Sequence, residues 1–201
     1  MQFISFSSGS SGNCYLLRTE HSMLLLDVGL SPRKVKQYLH EYGLSLPDVD
    51  AILITHDHTD HIKGAGLLSE ECQLPVYTTE IIHEGMCRNY CMPCKVPAEL
   101  RRIVQKDTSF DVGDFHITPF DVPHDSSDNV GYFVETADTN FCLMTDVGRV
   151  TDEMAEYIGR AHYLVIEANH DKEMLQQGSY PQFLKDRITS GSGHLNNELC
   201  G

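Results

Sequence analysis

Residues 51–61 read Ala51-Ile52-Leu53-Ile54-Thr55-His56-Asp57-His58-Thr59-Asp60-His61. The first four form an apolar run of the kind that makes a short buried strand, and the chain then turns abruptly polar. Three histidines and two aspartates fall within residues 56–61. Imidazole and carboxylate groups are rarely buried unless something pairs with them, so packing does not account for the cluster. His56 and His58 stand two apart, so an extended turn can aim both rings at one locus. Asp60 and His61 are adjacent and can serve a second locus a few ångströms away.

The order His-x-His-x-Asp-His after a hydrophobic strand resembles the signature of the metallo-β-lactamase superfamily. Other pieces of that pattern recur downstream in the same order. The resemblance implies that His56 and His58, with a third histidine further on, hold one metal, and that Asp60 and His61 help to hold a second. Asp57 fills a variable position and is not an expected ligand. His124, in Val122-Pro123-His124-Asp125-Ser126, follows a strand and precedes a turn, where the third histidine should stand. Phe141-Cys142-Leu143-Met144-Thr145-Asp146-Val147-Gly148 reads as a buried strand ending in Thr-Asp-x-Gly, and Asp146 resembles the carboxylate that touches both metals. Asp27 closes Leu24-Leu25-Leu26-Asp27 beside Gly29. In the resembled family such an aspartate orients the histidines from behind, while the residues alone would equally allow a turn.

Length and composition bound the remainder. The 201 residues suit one domain, and 41% hydrophobic with 22% charged residues suits a globular protein. The start, Met1-Gln2-Phe3-Ile4-Ser5, does not read as a signal peptide, and no stretch approaches the roughly 20 apolar residues of a membrane span. Seven cysteines, without framework spacing, point to a reducing cytosol and a cytoplasmic location. The net charge of −14 argues against non-specific nucleic-acid binding. Two divalent cations against the carboxylates of Asp60 and Asp146 would nevertheless leave a cleft locally positive.

Strands are expected over residues 2–6, 14–18, 22–27, 51–55, 75–78, 101–104, 115–120, 130–134, 141–144 and 163–167. Helices are expected over 33–42, 62–70, 79–90, from 151 or 152 to 159, and from 181 to 188. The turn Ser7-Ser8-Gly9-Ser10-Ser11-Gly12-Asn13 is either a hairpin loop or a backbone cradle for an anion. The third of these helices is expected to carry His83, Cys87, Cys91 and Cys94. Cysteine spacing of this kind occurs in iron–sulfur proteins, but small apolar packing is the simpler account. His116, within a strand, is expected to be structural.

Ser-Gly-Ser-Ser-Gly-Asn-Cys, Thr-Asp-Val-Gly-Arg-Val, Ile-Glu-Ala-Asn-His-Asp and Ser-Gly-Ser-Gly-His-Leu together resemble the YycJ/WalJ-type branch of the superfamily over nearly the whole chain. That resemblance implies an α/β fold, the four-layer αββα sandwich. It implies a metal-dependent phosphodiesterase, with 5′-to-3′ exonuclease action on DNA through water activated by two divalent ions, zinc or manganese. Asp60 and His194 are the candidate catalytic residues, and the resemblance gives His194 the part of a non-ligand donor to the phosphate. A glyoxalase-II-like thioester or other acyl hydrolase is the alternative, and a regulatory metal-binding module without turnover is a third reading. The family pattern supplies a last histidine beyond the Gly-His-Leu motif, and none follows His194. The expectation is one metallo-β-lactamase-like domain over residues 1–201 lacking its last C-terminal elements. It should hold one metal firmly and a second weakly, with His170 the nearest substitute ligand, and should expose apolar surface.

Overall fold

Period-two alternation along the strands builds two cores at once in the computed structural model, which describes residues 1–201. Strand β9 (Val130–Glu135) sends Val130, Tyr132 and Val134 into a central cluster and Phe133 into an outer one. Strand β10 (Asn140–Met144) repeats this, with Phe141 and Leu143 inward and Cys142 and Met144 outward.

These strands belong to a five-stranded sheet of order β11-β10-β9-β8-β7, whose other members are β7 (Phe110–Val112), β8 (Phe115–Asp121) and β11 (Tyr163–Ile166). Facing it is a six-stranded sheet in sequence order: β1 (Gln2–Ser7), β2 (Cys14–Arg18), β3 (Met23–Val28), β4 (Ala51–Leu53), β5 (Val76–Thr78) and β6 (Arg101–Ile103). Strands β3 to β6 run parallel, which requires crossovers. The crossovers are α1 (Pro32–Glu41), the short α2 (Thr59–Ile62) with α3 (Ala65–Cys72), and α4 (Glu80–Arg88). In the second sheet, β10 and β11 are parallel and joined through α5 (Asp152–Arg160). Helix α5 buries Met154 in the outer cluster. Helices, two facing sheets and a further helix give the four-layer αββα sandwich expected from the motifs.

Local chemistry sets the ends. Helix α1 starts at extended Ser31 with Pro32 at its first position and buries Val35 and Leu39, one turn apart. It stops before Gly43, whose φ of +70° closes the turn. The helix following β11, α6 (Lys172–Gln177), is capped by Asp171, and α7 (Gln182–Ile188) and α8 (Asn197–Cys200) complete the chain.

Three expectations need correction. Residues 59–62 form their own helical turn, which carries Asp60 and His61, and the helix expected over 62–70 starts only at Ala65. Helix α4 ends at Arg88, so Cys91 and Cys94 are not on it. The Asn89 side chain is drawn to the Asp57 carbonyl, 3.0 Å away, and the Lys95 ammonium caps the Met86 and Asn89 carbonyls. Pro93 lies just beyond, a residue that disfavours continuation. Cys87 is exposed and Cys91 and Cys94 half-buried, so the three thiols do not share one packed helical face. No group able to hold a metal includes them. No helix is long and apolar enough to cross a membrane. Between β1 and β11, Phe3, Phe141, Tyr163 and Leu164 line an apolar cleft.

Leu25 of β3 is fully buried between neighbouring strands. Leu25→Ala should lower unfolding stability by about 2–5 kcal/mol, measured by urea denaturation. Tyr163→Ser, at a residue 63% exposed, should stay within about 0.5 kcal/mol of the parent.

Candidate metal centre

Strand ends bring the polar side chains together. Asp27 lies near the end of β3, His56 and His58 follow β4, His124 follows β8, Asp146 follows β10 and Glu167 follows β11. Asp27 and Asp146 both adopt left-handed backbone, with φ of 57° and 51°. Aspartate tolerates that conformation better than most residues, and such strain concentrates where a side chain must be aimed. The two sheets are stitched here: His56 bridges Asn129, the Asn129 amide donates to the Asp146 carbonyl at 3.0 Å, and the Tyr132 hydroxyl donates to the Ile54 carbonyl at 2.7 Å.

His56, His58, His124 and Asp146 each offer a donor atom, and these atoms all lie within 4.8 Å of one another. Asp146 Oδ2 is the hub, 3.0 Å from His56 Nε2, 3.0 Å from His61 Nε2 and 3.9 Å from His124 Nε2. His124 Nε2 stands 3.3 Å from His58 Nδ1.

The hydrogen-bond network assigns the ring tautomers. Asp27 is fully buried. It accepts from the Thr55 amide at 2.9 Å, from the Thr55 hydroxyl at 2.9 Å and from His61 Nδ1 at 2.7 Å. Having given its one proton to Asp27, the Thr55 hydroxyl accepts from His56 Nδ1 at 2.9 Å. The His56 Nε2 lone pair therefore faces the hub, buried and without a hydrogen-bond partner. His124 donates Nδ1–H to the Gly193 carbonyl at 3.0 Å, which leaves its Nε2 lone pair to the same point. Burial pushes the pKa of both His56 and His124 down, which keeps the rings neutral. Converging imidazole lone pairs and a carboxylate oxygen repel one another unless a cation joins them. This nitrogen and oxygen donor set suits zinc or a similar divalent ion.

His61 faces the hub from the other side. The Asn13 amide oxygen accepts from the Gly9 amide and the Tyr15 hydroxyl, so its nitrogen donates to His61 Nε2 at 2.8 Å. Asp60 Oδ2 is 3.8 Å from His61 Nε2. It stands at the rim of the cleft, outside the four-donor group. The Asp60 carbonyl is packed so close to Gly29 that a Cβ there would lie 1.6 Å from it. Asp57 points away: its carboxylate accepts from the Ser127 amide and hydroxyl. It rests where a Cβ on Gly85 would collide with it at 1.9 Å. It ties the loop of His124 to the loop of His56 and His58.

His194 lies 3.7 Å from Asp146 Oδ1 and donates Nδ1–H to Glu167 at 2.7 Å. Glu167 carries no expected role in the motifs. Its signal was there, an acid at the end of a buried strand like Asp27 and Asp146. Asp146, Glu167 and His194 are close enough to hold a cation. Glu167, however, already accepts from His194, the Val147 amide at 2.7 Å, the Asn169 amide at 2.9 Å and the Leu195 amide at 3.3 Å. That saturation fits a carboxylate that orients His194. His170 lies outside both donor groups, and His116 pairs with Asp111 on the surface at 2.7 Å. The cleft above the cluster has a volume of about 470 Å³ and is walled by the Ser8–Ser10 turn and by Glu167, Asn169 and Arg187.

Comparison with known proteins gives this geometry a setting. A family model described as beta-lactamase superfamily domain matches residues 23–200. Exodeoxyribonuclease WalJ of Streptococcus pneumoniae is 41% identical over 192 residues, covering 96% of this chain and 71% of that protein. Exodeoxyribonuclease YycJ of Bacillus anthracis is 36% identical over 198 residues, covering 98% and 74%. Among solved structures, Zn(2+)-bound PqqB from Methylobacterium extorquens superposes with a TM-score of 0.69 at 20% identity, covering 92% of this chain and 68% of that one. Rm3 metallo-beta-lactamase gives 0.63 at 18%, covering 98% and 85%. At those identities the structures share the fold.

Asp27→Ala should leave the Thr55 amide, the Thr55 hydroxyl and His61 Nδ1 unpaired in a fully buried setting. The expected loss is about 3 kcal/mol or more, read from urea denaturation. Thr55→Val removes one hydroxyl and should cost less.

Proposed function

This chain belongs to the beta-lactamase superfamily, and on that premise we propose that it is a metal-dependent phosphodiesterase acting on nucleic acid, an exonuclease on DNA. The observation that carries the reading is the convergence of His56, His58, His124 and Asp146, of which His58 and Asp146 line a polar cleft. The two relatives named exodeoxyribonuclease, at 41% and 36% identity, support nucleic acid over an acyl substrate. In this reading His56, His58, His124 and Asp146 hold one cation, zinc or manganese. Asp60 and His61, with Asp146 shared, hold a second. Seven free thiols support work in a reducing cytoplasm.

When bound, the divalent ions lower the pKa of a coordinated water and polarise a phosphoryl oxygen. The chain's own residues do the rest. Asp27 and Thr55 fix the ring orientations of His61 and His56, so the His56 Nε2 lone pair stays aimed at the hub and His61 Nε2 stays beside it. As a water oxygen bonds to phosphorus, the bond from phosphorus to the leaving oxygen breaks and that oxygen needs a proton. His194 is placed to supply it from Nε2, because Glu167 occupies Nδ1. Burial opposes a charged His194, but the hydrogen bond and charge of Glu167 outweigh it and the pKa is raised. That shift favours the protonated imidazole, the form a general acid requires. The Ser8-Gly9-Ser10 turn in the cleft wall can offer backbone amides to a phosphate.

His56→Ala, His58→Ala and His124→Ala should each lose bound metal, read by elemental analysis, and abolish hydrolysis. Unchanged metal content in His56→Ala would remove the assignment. His194→Ala should keep its metal and slow oligonucleotide cleavage about 10²- to 10³-fold. It should slow bis-p-nitrophenyl phosphate far less, since nitrophenolate leaves without a proton. Equal slowing of both substrates would end the proton-donor role. A 5′-labelled and a 3′-labelled strand compared side by side report the direction of attack. Turnover of S-lactoylglutathione with no phosphodiester cleavage would favour the acyl class.

A further inference from the structure

The cleft does not stop at the metal cluster. A second cavity of about 690 Å³ shares His58, Asp60 and Arg187 with the first, so the two meet beside the hub. Arg187 is the only lysine or arginine lining the first cavity, and it lines the second as well. A polyanion led from the hub into the second cavity passes this side chain.

Arg187 is held at both ends. Its Nε and Nη2 both donate to the Asp125 carboxylate, with Nη2 reaching Oδ1 at 3.0 Å. That same Oδ1 lies 3.4 Å from His124 Nε2. One carboxylate oxygen therefore separates the guanidinium from a nitrogen aimed at the hub. At the backbone end, the Ser190 hydroxyl donates to the Arg187 carbonyl at 2.7 Å, and the His194 amide donates to the Ile188 carbonyl at 2.8 Å. A Cβ on Gly193 would lie 2.2 Å from the Arg187 carbonyl, and the Gly193 carbonyl is the one that holds His124. The end of α7 is thus packed directly against the turn that carries His194.

A guanidinium has five N–H groups and Asp125 takes two, which leaves three for another acceptor at the junction of the cavities. A planar fork fixed by a carboxylate on one edge keeps its other edge ready for a second oxyanion. Holding the fork in advance lowers the ordering cost when that anion arrives. Arg88, the other cation of the second cavity, is tied only to Glu84 one turn back on its own helix, so nothing holds it towards the hub. Cations at the hub would take the oxygens of the scissile phosphate, which leaves the adjoining one to Arg187.

We propose that Arg187 clamps the phosphodiester next to the scissile one, with Asp125 aiming its guanidinium. The inference rests on the phosphodiesterase reading. It adds a substrate-binding residue and the direction in which the nucleic acid leaves the hub, along the second cavity.

The experiment compares kcat/KM of the metal-loaded chain on a labelled DNA oligonucleotide and on bis-p-nitrophenyl phosphate, at salt from about 50 to 200 mM. The small substrate has a single phosphate, so only the oligonucleotide reaches the clamp. Arg187→Gln can still donate to Asp125 but carries no charge. It should lower oligonucleotide kcat/KM about tenfold and make the fall of log kcat/KM with log salt shallower by about 0.7–0.9. Metal content and bis-p-nitrophenyl phosphate hydrolysis should match the parent. Arg187→Lys keeps the charge and should keep the parent salt slope. Equal slowing of both substrates by Arg187→Gln would mean that Arg187 only supports the His124 loop. An unchanged salt slope would mean that no phosphate contact was lost. Either result overturns the clamp and leaves the nuclease reading intact. Failure of the parent chain to cleave any oligonucleotide overturns the underlying reading, and the clamp with it.

Discussion

One buried carboxylate organises the centre. Taking the Asp27 carboxylate out of water is expensive unless its oxygens are fully hydrogen-bonded. Thr55 and His61 supply those bonds through three donors. The same bonds fix the His61 tautomer directly and the His56 tautomer through the Thr55 hydroxyl. The residues that stabilise the charge are therefore the residues whose lone pairs must be aimed. Stability and chemistry draw on one network, and the loop of His56 to His61 has little freedom to depart from it.

The sandwich makes that network possible. Asp27, His56 and His61 come from the first sheet and its crossovers, while His124, Asp146, Glu167 and His194 come from the second sheet and beyond. Neither half holds the donor set alone. The bridge between His56 and Asn129 and the bond from Tyr132 to the Ile54 carbonyl lock the halves in register at this point. An interior packed from facing alternating strands is stiff, so a cluster held across its edge is presented without a flexible hinge.

Charge bears on substrate choice in two opposing ways. A chain at −14 repels a polyanion at long range. Bound cations would reverse the field locally, at the hub alone. Recognition of a nucleic acid would then be short-ranged and centred on the phosphate at the hub, in the cleft walled by the Ser8–Ser10 turn.

Much of this was legible in residue order. The apolar run before His56, the strand-end acids Asp27 and Asp146, and His124 between strand and turn are local patterns, and local patterns report strand ends. The two-sheet layout was legible for the same reason, since each strand carries its own alternation. What the sequence could not settle was which groups meet across the chain. Glu167 stands 27 residues from His194, and no spacing rule joins them. Asp57 sits inside the histidine motif yet turns away to Ser127, 70 residues on, because Gly85 leaves room for it. The cysteine spacing suggested a helical face, but Asn89 and Lys95 draw the chain out of the helix before Cys91. The sequence by itself determined every strand but the three-residue β7, and the residue types offered at the strand ends. Tertiary structure alone decided which lone pairs converge on Asp146, because that depends on distances through space and on buried hydrogen bonds between distant parts of the chain.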